Sequence, residues 1–263
     1  MDKFSFDTLG WAKIPYEPEL KSWAQNALPY AIDAANDPKH HTEWLRSQGT
    51  WFVGVDALDN DPDGCVHGSD PLRGGVLKAA QYATGQEAIN WGLGQVSVCY
   101  QGYPKKGDDE TDGMFNYRRN RDFAHLDGLK PIGDKRRRIM DEFHGFILGI
   151  PLNDYPAKAS PFVIWEGSHI IFRDMLQSLY ADTPHDQWDT IDITEIYQET
   201  RQRMFDECKR VELHAEVGEA YIAHRFSLHG MASWPDRLDG PAEGRVIAYF
   251  RPYWNGDMQR WLT

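Results

Sequence analysis

Cysteine is scarce in this chain. Cys65, Cys99 and Cys208 are its only three among 263 residues. An odd number set far apart suggests neither a disulfide framework nor a zinc ribbon and fits a reducing, cytoplasmic setting. Long apolar runs are missing too: no stretch reaches the roughly 18 apolar residues that a membrane-spanning helix needs. Residues 1–7 show no basic segment followed by an apolar one, so neither a signal peptide nor a membrane anchor is expected. Basic residues are outnumbered, 28 Lys and Arg against 40 Asp and Glu, for a formal charge of −12. That balance argues against a general nucleic-acid or anionic-membrane surface. No linker, internal repeat or low-complexity segment breaks the chain. The expectation is one domain over residues 1–263, large enough to bury a substantial core.

What is present divides near residue 95. Before it, Leu20, Trp23, Ala24, Ala27, Leu28, Ala31 and Ile32 recur at helical spacing and predict an amphipathic helix over 18–36, kinked or ended midway by Pro29. A short helix is predicted over 42–48, a strand over 51–55, and an ordered loop over the Asp-, Gly- and Pro-rich residues 56–73. From Gln95 onward, short alternating apolar runs predict strands over 95–101, 141–152, 161–165, 210–214, 220–224 and 245–249, interrupted by helices over 168–179 and 192–209. Many short strands with turn signals between them point to a barrel or a double-sheet jelly roll.

The chemistry is concentrated in His125-Leu126-Asp127. On an extended segment, residues two apart face the same way, so an imidazole and a carboxylate can share one metal ion. A second His from elsewhere would complete a face of ligands with three positions open, the arrangement that suits non-haem Fe(II) oxygenases. His40, His41, His67 and His185 read as solvated, and His144 and His214 as hydrogen-bonded strand residues. Tyr221 to Gly230 is different, because it places His224 and His229 where an apolar strand ends. A regular strand would point them to opposite faces, so only one can be the ligand.

His125-Leu126-Asp127, Trp165-Glu166-Gly167-Ser168-His169, the pair His224 and His229-Gly230, and Arg245-Val246-Ile247-Ala248-Tyr249 together resemble the motif series of the phytanoyl-CoA dioxygenase family. The resemblance covers roughly residues 95–251. It implies a double-stranded β-helix, a cupin-like jelly-roll barrel, with residues 1–94 as a mostly helical addition. It implies Fe(II) held by His125, Asp127 and His229, with His224 supporting the site, and 2-oxoglutarate as co-substrate with its distal carboxylate on Arg245. Arg251, which shares strand parity with Arg245, is the runner-up. A guanidinium suits this task because its planar fork gives a carboxylate two parallel charge-assisted bonds. The implied reaction consumes dioxygen, releases succinate and carbon dioxide, and hydroxylates a small molecule.

The chain departs from the family in two places. Met231 stands where a small hydroxyl residue is usual, and the sixteen-residue interval from His229 to Arg245 is longer than the family's, which the Asp, Gly and Pro residues of 236–244 explain as an extended turn. The carboxylate ligand is present, which favours hydroxylation over halogenation. If the run from Tyr117 stays extended into His125, then Tyr117, Arg119, Arg121 and Phe123 share the ligand face, and an inward arginine would favour an anionic substrate; a solvated basic rim including Arg118 is the plain alternative. Trp165 and Phe146 are candidate pocket walls, and His169 a candidate support for the site. Arg136 to Arg138 reads as surface, so a CoA ester is not implied. Two other readings remain: a jelly-roll protein using another metal such as Zn(II) for hydrolysis or isomerisation, and a non-catalytic binding protein. Arg245 argues weakly against the first, since a hydrolase needs no partner for a five-carbon diacid.

Overall fold

Alternation within two strands explains most of the architecture. The computed structural model describes residues 1–263. The chain opens with α1 (Lys3–Leu9), β1 (Trp11–Ile14), α2 (Pro18–Asn36), α3 (Pro38–Trp44), β2 (Leu45–Arg46), β3 (Trp51–Gly54) and α4 (Gly74–Thr84). It continues through β4 (Gln95–Cys99), α5 (Asp112–Arg119), β5 (Leu129–Ile132), β6 (Arg137–Met140), β7 (Phe146–Pro151), β8 (Phe162–Glu166), α6 (Ser168–Tyr180) and α7 (Thr194–Glu207). The last elements are β9 (Lys209–Leu213), β10 (Ala220–His224), β11 (His229–Met231), β12 (Arg245–Phe250) and α8 (Met258–Trp261). Every residue of β7 and of β12 is buried, as a strand covered on both faces requires. One face of these strands, Phe146, Leu148, Ile150, Val246, Ala248 and Phe250, belongs to the core formed with α2 and α4. The small residues Ala24, Ala27 and Ala31 along α2 let that helix lie close to the sheet. The other face, including Ile147, Ile247 and Tyr249, points into the barrel toward Phe162 and Ile164 of β8.

The larger sheet has seven antiparallel strands in the order β1-β10-β7-β12-β4-β3-β2, and the smaller has the order β11-β8-β9. This is the expected jelly roll, and the predicted strands over 95–101, 161–165, 210–214, 220–224 and 245–249 are all present. The N-terminal region contributes strands as well as helices: β3 falls within the strand predicted over 51–55 and pairs with β4, and β1, which the pattern does not mark, pairs with β10. Pro29 lies inside an unbroken α2. The helix predicted over 42–48 instead starts at Pro38, where the Asp37 carboxylate caps the Lys39 amide, and ends at Trp44. Ser47 and Gln48 adopt positive φ and turn the chain into β3. No helix is long and apolar enough to cross a membrane.

The run before His125 is not extended. Thr111 caps α5, its hydroxyl accepting from the Met114 amide at 3.2 Å, and Asp112 to Arg119 form a helix. Tyr117, Arg119, Arg121 and Phe123 therefore do not share a strand face.

Candidate metal centre

Two backbone segments meet at the site. The His125 amide donates to the His229 carbonyl at 2.8 Å, and the His229 amide returns the bond at 3.1 Å. The His-x-Asp segment is thus an extra antiparallel rung on the outer edge of β11. This approach needs glycine at position 230: a Cβ there would stand 2.2 Å from the Asp122 carbonyl and 3.0 Å from the Ala124 backbone. Asp122 and Phe123, at φ 51° and 53°, make the sharp turn that delivers His125. Arg210 fastens that turn, its Nε and Nη2 meeting the Asp122 carboxylate at 2.6 and 2.8 Å.

Each imidazole is oriented by the main chain. Nδ1 of His125 lies 3.1 Å from the Phe123 carbonyl, and Nδ1 of His229 lies 2.9 Å from the Ser227 carbonyl. A carbonyl only accepts, so these bonds place a proton on Nδ1 of each ring and turn both Nε2 atoms toward Asp127. The two Nε2 atoms stand 3.4 and 3.6 Å from Oδ1 of Asp127, and the three ligand atoms lie within 4.8 Å of one another. The Phe162 ring stacks on His229 with centroids 5.3 Å apart and limits its rotation. Two imidazoles and a carboxylate converging on one point fit a single divalent metal ion.

The second oxygen of Asp127 is already engaged. Arg251 Nη1 lies 3.2 Å from Oδ2, and its Nη2 donates to Gln95 Oε1 at 2.9 Å. Burial would push the Asp127 carboxyl up, but the Arg251 guanidinium and the two imidazoles outweigh it and hold the group well below the usual carboxylate range. Asp127 therefore presents one oxygen to the His pair and one to Arg251.

Beside these residues opens a cavity of about 460 Å³, lined by Trp51, Phe123, Phe162 and Met231 among others, with His125, Asp127, His229 and Arg251 on its wall. Arg245 does not line it. Its guanidinium, only 1% exposed, lies behind Met231 and Tyr249, with Nη1 3.2 Å from the Met231 sulfur and Nη2 3.1 Å from the Tyr249 hydroxyl. Its Nε is buried without a partner, as is the hydroxyl of nearby Ser160. Burial pushes the Cys99 thiol and the Tyr155 phenol each up to about 12, so the groups around Arg245 are neutral. No carboxylate lies within 4.0 Å of this guanidinium. A buried cation without a counter-charge is costly.

Other expected residues lie elsewhere. His224 and His169 pack on each other, ring centroids 5.0 Å apart, and line a separate cavity with Arg173 and Arg225, so neither supports the His125–Asp127–His229 cluster. The break comes at Arg225 to Leu228, where the chain leaves the larger sheet after β10 and enters the smaller one at β11. Phe146 and Trp165 are core residues rather than pocket walls; Ile147 and Phe162, one position along in β7 and on the inner side of β8, take that place. Sequence reasoning gave Arg251 only as an alternative to Arg245, and passed over Arg201 on α7, which also lines the cavity.

No protein-family model matches the chain, and no curated protein matches it in sequence. Solved structures do. The non-heme alpha-ketoglutarate-dependent carbocyclase SnoK from nogalamycin biosynthesis superposes with a TM-score of 0.50 at 12% identity, covering 96% of this chain and 84% of that one. EctD from S. alaskensis, solved with 2-oxoglutarate and 5-hydroxyectoine, gives 0.42 at 12% identity over 94% and 73%. AviO1 from Streptomyces viridochromogenes Tue57 gives 0.41 at 12% identity over 95% and 92%. At such identities the likeness to SnoK establishes the fold, and the chain has the jelly-roll architecture of that enzyme.

Proposed function

We propose that the protein is an Fe(II)- and 2-oxoglutarate-dependent dioxygenase of the phytanoyl-CoA dioxygenase type that hydroxylates a small molecule. The observation that carries this reading is the pairing of a His125–Asp127–His229 cluster with a second, fully buried and uncompensated guanidinium, Arg245, on the inward face of β12. A metal site for hydrolysis has no use for such a cation, whereas a co-substrate with two carboxylates does. Bound at the three ligands, iron chelating 2-oxoglutarate would supply the oxidising power, consuming dioxygen and releasing succinate and carbon dioxide.

The chain's own residues do the positioning. The main-chain carbonyls of Phe123 and Ser227 keep both imidazoles in the ligating tautomer. Arg251 holds the Asp127 carboxylate so that a single oxygen faces the histidines. Arg245 takes the far carboxylate of 2-oxoglutarate, and the unbranched Met231 side chain in front of it swings aside to admit it. Trp51 and Phe162 exclude bulk water from the reacting face.

The test is anaerobic reconstitution with Fe(II) and 2-oxoglutarate, read by the weak visible charge-transfer absorption of the chelate. We expect the band in the wild type and its loss in Asp127→Ala and His229→Ala. Tight iron binding with no band would overturn the oxygenase reading.

A further inference from the structure

Three arginines line the cavity, Arg118, Arg201 and Arg251, and two of them are neutralised. Arg118 makes a two-pronged pair with Glu110, Nε and Nη2 each at 2.8 Å, and Arg251 meets Asp127 at 3.2 Å. Arg201 meets no carboxylate within 4.0 Å, in a chain with 40 acidic residues and 28 basic ones.

Arg201 is also held in place. Its Nη2 donates to the Ala124 carbonyl at 2.7 Å, one residue before His125, and its guanidinium lies over the Phe205 ring at 5.0 Å. Its Nε is buried with no partner. One edge of the planar group is thus fastened to the wall that carries the metal ligand, leaving the remaining donors unpaired. An arginine pre-positioned in this way loses little conformational entropy when it binds an anion. The same cavity has apolar walls in Trp51, Val53, Val55, Phe123 and Phe162.

We propose that Arg201 anchors an anionic group of the substrate, which makes that substrate an amphipathic organic acid, a single carboxylate-like anion carried on an apolar skeleton. The assignment rests on the oxygenase reading only for the word substrate; the recognition itself is a property of the cavity. A carboxylate meets the guanidinium through parallel charge-assisted bonds, and the skeleton lies along the aromatic and valine walls toward the His125–His229 face.

The test compares a matched pair of probes, 3-phenylpropionate and 3-phenylpropanamide, by isothermal titration of the full chain under nitrogen with Fe(II) and saturating 2-oxoglutarate. The acid should bind the wild type at least tenfold more tightly than the amide. Arg201→Gln, which keeps a donor for the Ala124 carbonyl, should abolish that preference, and Arg201→Lys should restore part of it. An acid that binds no better than the amide in the wild type, or a preference that survives Arg201→Gln, overturns the proposal. So does loss of the iron–2-oxoglutarate band in Arg201→Gln with its retention in Arg245→Gln, because Arg201 would then hold the co-substrate. A wild type that shows no band at all refutes the oxygenase reading, while the acid–amide difference still decides the role of Arg201.

Discussion

Removing Arg251 while keeping its volume, as in Arg251→Met, should destabilise the metal-free protein far more than the metal-loaded one. Unit charges 3.2 Å apart attract by about 5 kcal/mol at an effective dielectric constant of roughly 20. The Arg251 side chain is 21% exposed and that of Asp127 8%, so part of this is screened and part was lost on leaving water; a net loss of about 2–3 kcal/mol is expected. The neutral bond from Arg251 to Gln95 Oε1 adds roughly 1 kcal/mol. Urea unfolding of the wild type, Arg251→Met, Asp127→Asn and the double variant, all metal-free, closes a cycle that isolates the pair. The coupling should be about 2 kcal/mol. A divalent ion at the triad supplies Asp127 with a second counter-charge, so saturating metal should stabilise Arg251→Met more than the wild type. Coupling below about 0.5 kcal/mol, the range of an exposed pair, would refute the reasoning, as would equal metal stabilisation of both proteins.

Arg245→Gln should weaken 2-oxoglutarate binding at least tenfold, read from the co-substrate concentration that half-saturates the chelate band, while leaving iron affinity unchanged; loss of both together would contradict the assignment. Gly230→Ala should cost about 1–3 kcal/mol and sharply reduce metal affinity, because its new methyl meets the Asp122 carbonyl rather than a movable side chain; an unaltered metal titration would show that the backbone contact does not set the ligand geometry. Burial lowers His169 to about 4 and His224 well below its ordinary value, with Arg173 and Arg225 opposing protonation of both and Asp7 favouring that of His169. Both are neutral in the fold and become charged near pH 6.5 when unfolded, so their contribution is complete above pH 6.5 and is lost as pH falls from there toward 4. His169 alone accounts for roughly 3 kcal/mol of that loss, and denaturant unfolding of His169→Gln across this range should give a visibly flatter curve.

The barrel and the candidate metal cluster are legible in the sequence because both write local patterns. Alternation in β4, β8, β10 and β12 marks strands wherever they sit, and His-x-Asp with a later His-Gly marks a ligand set. Tertiary placement left no such trace. The local pattern allows Tyr117 to Phe123 to run extended into His125, yet the capped α5 and two left-handed residues make a helix and a turn. His224 resembled a supporting residue by spacing alone, while the crossing from the larger sheet to the smaller one sends it to another cavity. The pairing of Arg251 with Asp127 spans 124 positions, and Arg201 reaches the pocket from a helix whose charged residues otherwise look like a solvated face.

The rung between His125 and His229 makes the centre a matter of register instead of spacing. His229 is fixed by β8 on one side and by His125 on the other, and Arg245 is fixed independently by β4. The segment between β11 and β12 therefore carries no information about the distance between His229 and the Arg245 guanidinium. Lengthening it changes little beyond loop closure, about 0.6 kcal/mol for each doubling. The same sixteen-residue interval that looks like a departure in the sequence is a degree of freedom in the fold, where the chain can acquire new surface without moving either the His125–Asp127–His229 cluster or Arg245.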